Sequence, residues 1–193
     1  MILETVEYED EIYWTGIAEL SNSSHMGTDA LVKLASERDA GIHAIQFLDS
    51  SLIVSIGHLL SAAQNAVNAW KGDYMLTRGL DAEILVYASA QRQISRAIEN
   101  LGIRDGLQSI ALVVVGGSKK DVRNVITKMI TKVGEEAKTA FVPDRERLER
   151  IMHHYGVNEK EVKALTNSDE IEIWAEALSR CVVSRVSIVA LDA

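Results

Sequence analysis

Arg92 and Arg96 stand four residues apart in the run Gln91-Arg92-Gln93-Ile94-Ser95-Arg96. On a helix that spacing puts both guanidiniums on one face, opposite Ile94 and Ile98. Paired guanidiniums suit phosphate recognition, and the flanking glutamines suit base edges or backbone groups. The same residues also describe an ordinary wet face, with Glu99 as an ion-pair partner worth under about 1 kcal/mol. The spacing leaves both readings open.

The other reactive side chains do not assemble into a catalytic set. Gly116-Gly117-Ser118, between a strand-like and a helix-like run, offers backbone N–H groups to an anion. It lacks the lysine and further glycines of a phosphate loop, so it also reads as a plain strand–helix turn. Of the five histidines only His153 and His154 are neighbours, and adjacent helical residues point about 100° apart. Cys181 sits in an apolar run, where a thiol is a small core residue, and Glu135-Glu136 reads as solvated surface. The chain carries no GxSxG elbow, Walker loop, GxGxxG turn or kinase signature. The expectation is a protein with no catalytic residues, no metal site and no cofactor.

Composition narrows the partner classes. The chain has 193 residues, 20 Lys/Arg against 28 Asp/Glu, a net charge of −8 and one cysteine. A single thiol excludes an internal disulfide and a multi-thiolate metal site. The acidic balance argues against a broad nucleic-acid coat. Residues 51–104, however, carry five Lys/Arg (Lys71, Arg78, Arg92, Arg96, Arg104) and four acids. A local electropositive patch on an acidic body is compatible with that distribution.

The elements that must position these residues are read from periodicity. Ile12–Ala18, Ile42–Leu48 and Ser109–Val115 read as strands, and Thr139–Val142 as a short fourth. Helices are expected from Thr28 or Asp29 to about Asp39, over Gly57–Lys71, Asp81–Ala88 and Ala90–Leu101, and after Ser118. Further helices are expected over Asp144–Tyr155, over Glu159–Leu165 with Asn158 as cap, and from about Asp169 onward. Leu59, Ala63, Ala66, Val67 and Trp70 form one dry stripe, and Ile94, Ala97, Ile98 and Leu101 another. In the last helix Val182, Val183, Val186, Ile188, Val189 and Leu191 are apolar around much of the circumference, which suits deep burial or a partner's cover. The predicted architecture is α/β. A single domain over residues 1–193 has a small mixed sheet of three or four strands covered by seven or eight helices. The acidic N-terminus and the shortness of every apolar run lead to the expectation of a soluble, cytoplasmic protein without membrane contact.

Residues 42–116 carry an ordered series of short motifs. Gln46-Phe47-Leu48-Asp49-Ser50-Ser51-Leu52-Ile53 is followed by His58-Leu59-Leu60 with Ala62-Ala63, and by Glu83-Ile84-Leu85 with Ala88-Ser89. Gln91-Arg92-Gln93-Ile94, Ala97-Ile98, Gly102 and Gly106 complete it. No single piece is diagnostic, but the series resembles the kinase-binding subunit family of the KEOPS (EKC) complex, densely over 42–116 and loosely over the last helix. The resemblance implies a non-catalytic accessory subunit of the machine that makes threonylcarbamoyladenosine on tRNAs decoding ANN codons. Such a subunit docks on the N-terminal lobe of the complex's small atypical kinase-ATPase and stimulates it. It also helps to recruit tRNA, particularly its single-stranded 3′ CCA end. The transferase and dimerisation subunits are reached only indirectly.

An unpaired RNA end needs a small basic pocket with stacking surfaces, not a basic protein. Arg92, Arg96 and Gln93 are the leading candidates for tRNA contact. Lys71, Arg78 and Arg104 are weaker phosphate contacts, with His58 or Tyr87 as base neighbours. His58 reads equally as a helix-start residue bonded to backbone, and Tyr87 as core. For the kinase interface the candidates are Val183 and Val186 of the last helix, or the middle helices. The competing readings are a purely structural protein-binding adaptor without RNA contact, and a small-molecule enzyme using the Gly116–Ser118 turn.

Overall fold

Glu11–Ser21 is the longest strand, exposed at its start and buried without a break from residue 15 to residue 20. The computed structural model describes residues 1–190, so Leu191 of the expected apolar run lies outside the described residues. Strands β1 (Ile2–Tyr8), β2 (Glu11–Ser21), β3 (Ile42–Asp49) and β4 (Ser109–Gly116) form one sheet in the order β1-β2-β4-β3. Eight α-helices accompany them among the described residues: α1 (Thr28–Ser36), α2 (Ile56–Lys71), α3 (Leu80–Ala88), α4 (Ile94–Leu101), α5 (Lys119–Val133), α6 (Arg145–Tyr155), α7 (Glu159–Lys163) and α8 (Ile171–Ile188). The architecture is α/β, as expected.

All three strand pairings are antiparallel, where a mixed sheet was expected. The chain leaves β3 at Asp49, makes α2, α3 and α4, and re-enters β4 beside the end it left, with Asp49 opposite Ile110. No crossover to the far end of the sheet occurs, so no parallel pair forms. The fourth strand is Ile2–Tyr8 and not Thr139–Val142. Instead residues 135–137 fill the edge of β2 that β1 leaves free, with Ser21 N–H donating to Glu135 O (2.8 Å) and Ala137 N–H to Glu19 O (2.9 Å).

Helices cover both faces of the sheet, which is why β4 reads as one unbroken apolar run. On one face Ile17, Ala44, Leu48, Ala111, Val113 and Val115 pack with α2, α3, α6 and α8. On the other Ala18, Leu20, Ile45, Phe47, Leu112 and Val114 pack with α1 and α5. Capping follows the sequence. Ser118 Oγ accepts from Asp121 N–H at the start of α5, Asp144 from Arg147 N–H at α6, and Asn158 with Glu161 closes a capping box at α7.

Gly134 ends α5 at φ 148°, and a Cβ placed there would stand 2.0 Å from Ser21 O. A left-handed backbone and a rigid carbonyl both oppose a side chain at this position. Gly134→Ala is expected to cost about 2–4 kcal/mol, from strain plus overpacking. Urea unfolding reads this, and a loss below about 0.5 kcal/mol would show that the approach relaxes.

Candidate functional site

The arginine-bearing segment begins where α3 stops. Ala90 N–H donates to Tyr87 O (3.0 Å) and Gln91 N–H to Val86 O (3.3 Å), closing the last turn of α3. Ala90 itself is left-handed at φ 52°, the position glycine usually takes in this stop. Gln91, Arg92 and Gln93 then form a turn outside any helix, and α4 starts at Ile94. The single helix expected over Ala90–Leu101 is therefore shorter, and Arg92 and Arg96 do not share a helical face.

They do share a hollow. Ala90, Gln91, Arg92, Gln93 and Arg96 line one side of a cavity of about 330 Å³, and Arg185, Ile188 and Val189 from α8 line the other. Arg92 and Arg96 are exposed and pair with no carboxylate among the described residues, Glu99 included. Arg185 bonds to Glu161 of α7 at 2.5 Å, and that bond is the main reason the Glu161 carboxyl sits below its ordinary range. Ile94 and Ile98, expected on the dry stripe, are 38% and 54% exposed. The cause is that α4 buries only Ala97 and Leu101, mainly against α3. Two unpaired guanidiniums, a third shared with Glu161 and an exposed isoleucine thus surround a small hollow, an arrangement able to hold an anionic group.

His58 lies beneath this turn and not on it. It is fully buried, so it offers an outside ligand no surface, contrary to its place among the expected RNA contacts. Its Nε2 lies 2.8 Å from the carbonyl of Ala88, which can only accept, so Nε2 carries the proton. Tyr155 Oη donates to the same carbonyl at 2.9 Å. Burial lifts the Tyr155 phenol far above its ordinary range, so it remains a donor at any working pH. Tyr87 is also buried and is a core residue.

Burial pushes the His58 imidazole down to about 4, opposed in part by the Ala88 bond, with a smaller push in the same direction from His154. The unfolded chain takes up this proton near pH 6.5, while the folded chain refuses it until about pH 4. Stability is therefore full above pH 6.5, falls as pH drops toward 4 and then levels off, a loss on the order of 3 kcal/mol. Urea midpoints at pH 7 and 4.5 check this. His58→Gln removes most of the difference, and an unchanged pH slope in that variant would place the sensitivity elsewhere.

The remaining candidates do not join the hollow. Lys71 pairs with Glu11 at 2.8 Å and stands over the Tyr13 and Trp70 rings. Arg104 forms an ion pair with the buried Asp49 at 2.7 Å. Arg78 is exposed on the loop that Glu83 pins through Leu76 N–H and Thr77 N–H. On α8, Val186 is fully buried and cannot meet a partner, and Val183 is half-buried. Arg185 is absent from the expected contacts and Ile188 is expected only as part of the apolar run of α8, although a lone arginine in that apolar half was the signal available.

At the Gly116–Ser118 turn, Gly117 N–H is spent on Gly41 O (2.9 Å) and Ser118 Oγ donates to Asp121 Oδ2 (2.6 Å). The Asp121 carboxylate thus sits where an anion would bind. A second, larger hollow of about 420 Å³ lies between α6, α7 and α8 over Met152 and Trp174. Its rim mixes Arg145 and Lys163 with Glu149, Glu159 and Asp169, which favours no one sign of charge. Among the described residues no cluster of three His, Cys, Asp or Glu is placed to hold a metal ion, and no helix is long and apolar enough to cross a membrane.

Comparison with known proteins follows the same lines. A curated relative, the EKC/KEOPS complex subunit CGI121 of Yarrowia lipolytica, is 21% identical over 158 residues, covering 74% of this chain and 90% of the relative. The family described as kinase binding protein CGI-121 matches residues 19–190, from the last residues of β2 to the end of the described chain. That span takes in β3, β4, the turn after α3 and the whole of α8, and the chain belongs to the CGI-121 family of kinase-binding proteins.

Proposed function

We propose that this chain is a single-domain, non-catalytic KEOPS subunit that binds and stimulates a small atypical kinase-ATPase and presents the 3′ CCA end of tRNA for threonylcarbamoyladenosine modification in the cytoplasm. The family membership supports the kinase half. The observation that carries the RNA half is the hollow in which Arg92, Arg96 and Arg185 converge on an otherwise acidic protein. An unpaired end is the right guest for it. A duplex needs a broad basic surface, whereas one terminal phosphodiester segment needs two or three cations and a flat apolar contact.

The kinase has a separate face available. Ile173, Val183 and Ser187 fall on the outward line of α8, with the Glu176–Arg180 pair between them (2.7 Å). Docking there leaves the arginine hollow open, and the transferase and dimerisation subunits are then met through the kinase.

Two measurements test the reading. Addition of the purified chain to its host's small kinase is expected to raise ATP hydrolysis, while the chain alone turns nothing over. Intact tRNA is expected to bind with a salt-dependent affinity that trimming the CCA end abolishes. Equal affinity for intact and trimmed tRNA would reduce the protein to an adaptor without RNA contact, the reading that the net charge of −8 favours.

A further inference from the structure

The buried pair His58 and Tyr155 does work that neither the family assignment nor the hollow's own residues account for. Ala88 closes α3, and its carbonyl is one of the helix-end acceptors that find no partner within the helix. It receives two donors from two other helices, His58 Nε2 of α2 (2.8 Å) and Tyr155 Oη of α6 (2.9 Å), all inside the core. Ser89, also fully buried, returns its hydroxyl to Val86 O (3.0 Å). The next residue, Ala90, holds the left-handed conformation that a β-carbon disfavours. Gln91, Arg92 and Gln93 follow directly, so the strained residue lies between a doubly anchored carbonyl and the arginine turn.

We infer that His58 and Tyr155 are positioning residues for the RNA end. By fixing the Ala88 carbonyl they hold Ala90 in its left-handed state and aim Arg92 and Gln93 into the hollow opposite Arg185. The anchor on α2 is itself fixed, because Ser55 Oγ accepts from His58 N–H (3.1 Å) and meets Ser179 Oγ of α8 at 2.6 Å. Both walls of the hollow, the turn and α8, are thereby referred to the start of α2. This inference rests on the arginine hollow being the RNA site.

Tyr155→Phe keeps the ring that stacks edge-on against His58 (5.4 Å between centroids) and removes only the hydroxyl. His58→Gln keeps an N–H donor of similar reach in the core and removes the ring that packs against Tyr155. Each variant is read three ways: thermal midpoint, amide exchange of residues 88–93 against that of β4, and affinity for CCA-ended and trimmed tRNA. For Tyr155→Phe, fully folded at the assay temperature, the expected result is faster exchange confined to residues 88–93. Affinity for CCA-ended tRNA is expected to fall about five- to tenfold, as for one lost hydrogen bond. The salt dependence should be unchanged, because the loosened turn still delivers the same charges. His58→Gln is expected to show the same pattern with a larger drop in midpoint.

A purely structural role would move the midpoint and leave the affinity of the folded variant alone. That result, or unchanged exchange at 88–93, overturns the inference while the RNA reading stands. Wild-type protein that binds intact and trimmed tRNA alike overturns the RNA reading, and the inference with it.

Discussion

Reversing Arg92 and Arg96 together to glutamate is expected to weaken binding of CCA-ended tRNA at least about a hundredfold at physiological salt, with kinase binding intact. Each guanidinium–phosphate bond contributes about 1.5–3 kcal/mol, and two such losses account for that factor before the new repulsion is counted. The two arginines are exposed and free of carboxylate partners among the described residues, so no ion pair among those residues is broken. The variant should therefore melt within about 2 °C of wild type, as surface substitutions do. The slope of log Kd against log salt should shrink by about 1.4, roughly 0.7 for each phosphate lost from a single strand. Retained affinity with a reduced slope would mean that apolar contact with Ile188 and Val189 carries the binding. Retained affinity with an unchanged slope would move the RNA off this hollow altogether.

What the sequence revealed and concealed has the same physical origin throughout. Side chains that cap or stripe are visible. Ser118, Asp144 and Asn158 cap where their types suggest, and Leu59, Ala63, Ala66 and Val67 are buried as their spacing requires. Features set by backbone conformation without its usual residue are not. Ala90 takes a left-handed stop that glycine would have announced, so pattern separates α3 from α4 at Ala88 but starts α4 four residues early, at Ala90 instead of Ile94. Glu9, also left-handed at φ 52°, turns the β1–β2 hairpin with no Asn-Gly signal, and β1 buries only Val6. An edge strand with one dry residue shows no alternation to read.

The candidate site divides along the same line. The proximity of Arg92 and Arg96 follows from chain spacing and was legible, though by way of a turn and not a helix. Arg185 joins them only because α8 packs across α2 and α3, and no local pattern encodes a contact 89 residues away. His58 shows the converse: of its two readings the structure bears out the helix-start residue bonded to backbone and not the base neighbour. Its neighbourhood in the motif series marked it as important, but importance through burial and importance through contact look alike in one sequence.

Arg147→Ala is expected to be the most destabilising single change, at about 3–5 kcal/mol, because it strips the cation from a buried carboxylate. Glu19 of β2 is 7% exposed and holds Ser109 Oγ (3.0 Å) and Phe141 N–H (2.6 Å). Those two donors are neutral, and the compensating charge is Arg147 of α6, whose Nη1 lies 3.8 Å from Glu19. The same guanidinium donates through Nη2 to the carbonyls of Ser50 (2.5 Å) and Ile53 (3.0 Å) and stands 5.7 Å from the Phe141 ring centroid. Burial lowers its pKa, with Glu19 pulling the other way, yet a guanidinium stays charged. One side chain thus ties β2, the turn after β3, the 134–144 segment and α6, and truncation orphans an anion and two carbonyls at once. The melting point should fall by roughly 10 °C for a chain of this size. Adding Glu19→Gln should recover part of the loss, since an uncharged amide tolerates burial without a cation, and that non-additivity is the signature of the pair. A loss below about 1 kcal/mol, or strict additivity in the double variant, would show that water reaches Glu19. Because α6 also carries Tyr155, folded Arg147→Ala protein should bind CCA-ended tRNA less tightly than wild type, which links the buried charge pair to the arginine turn through α6.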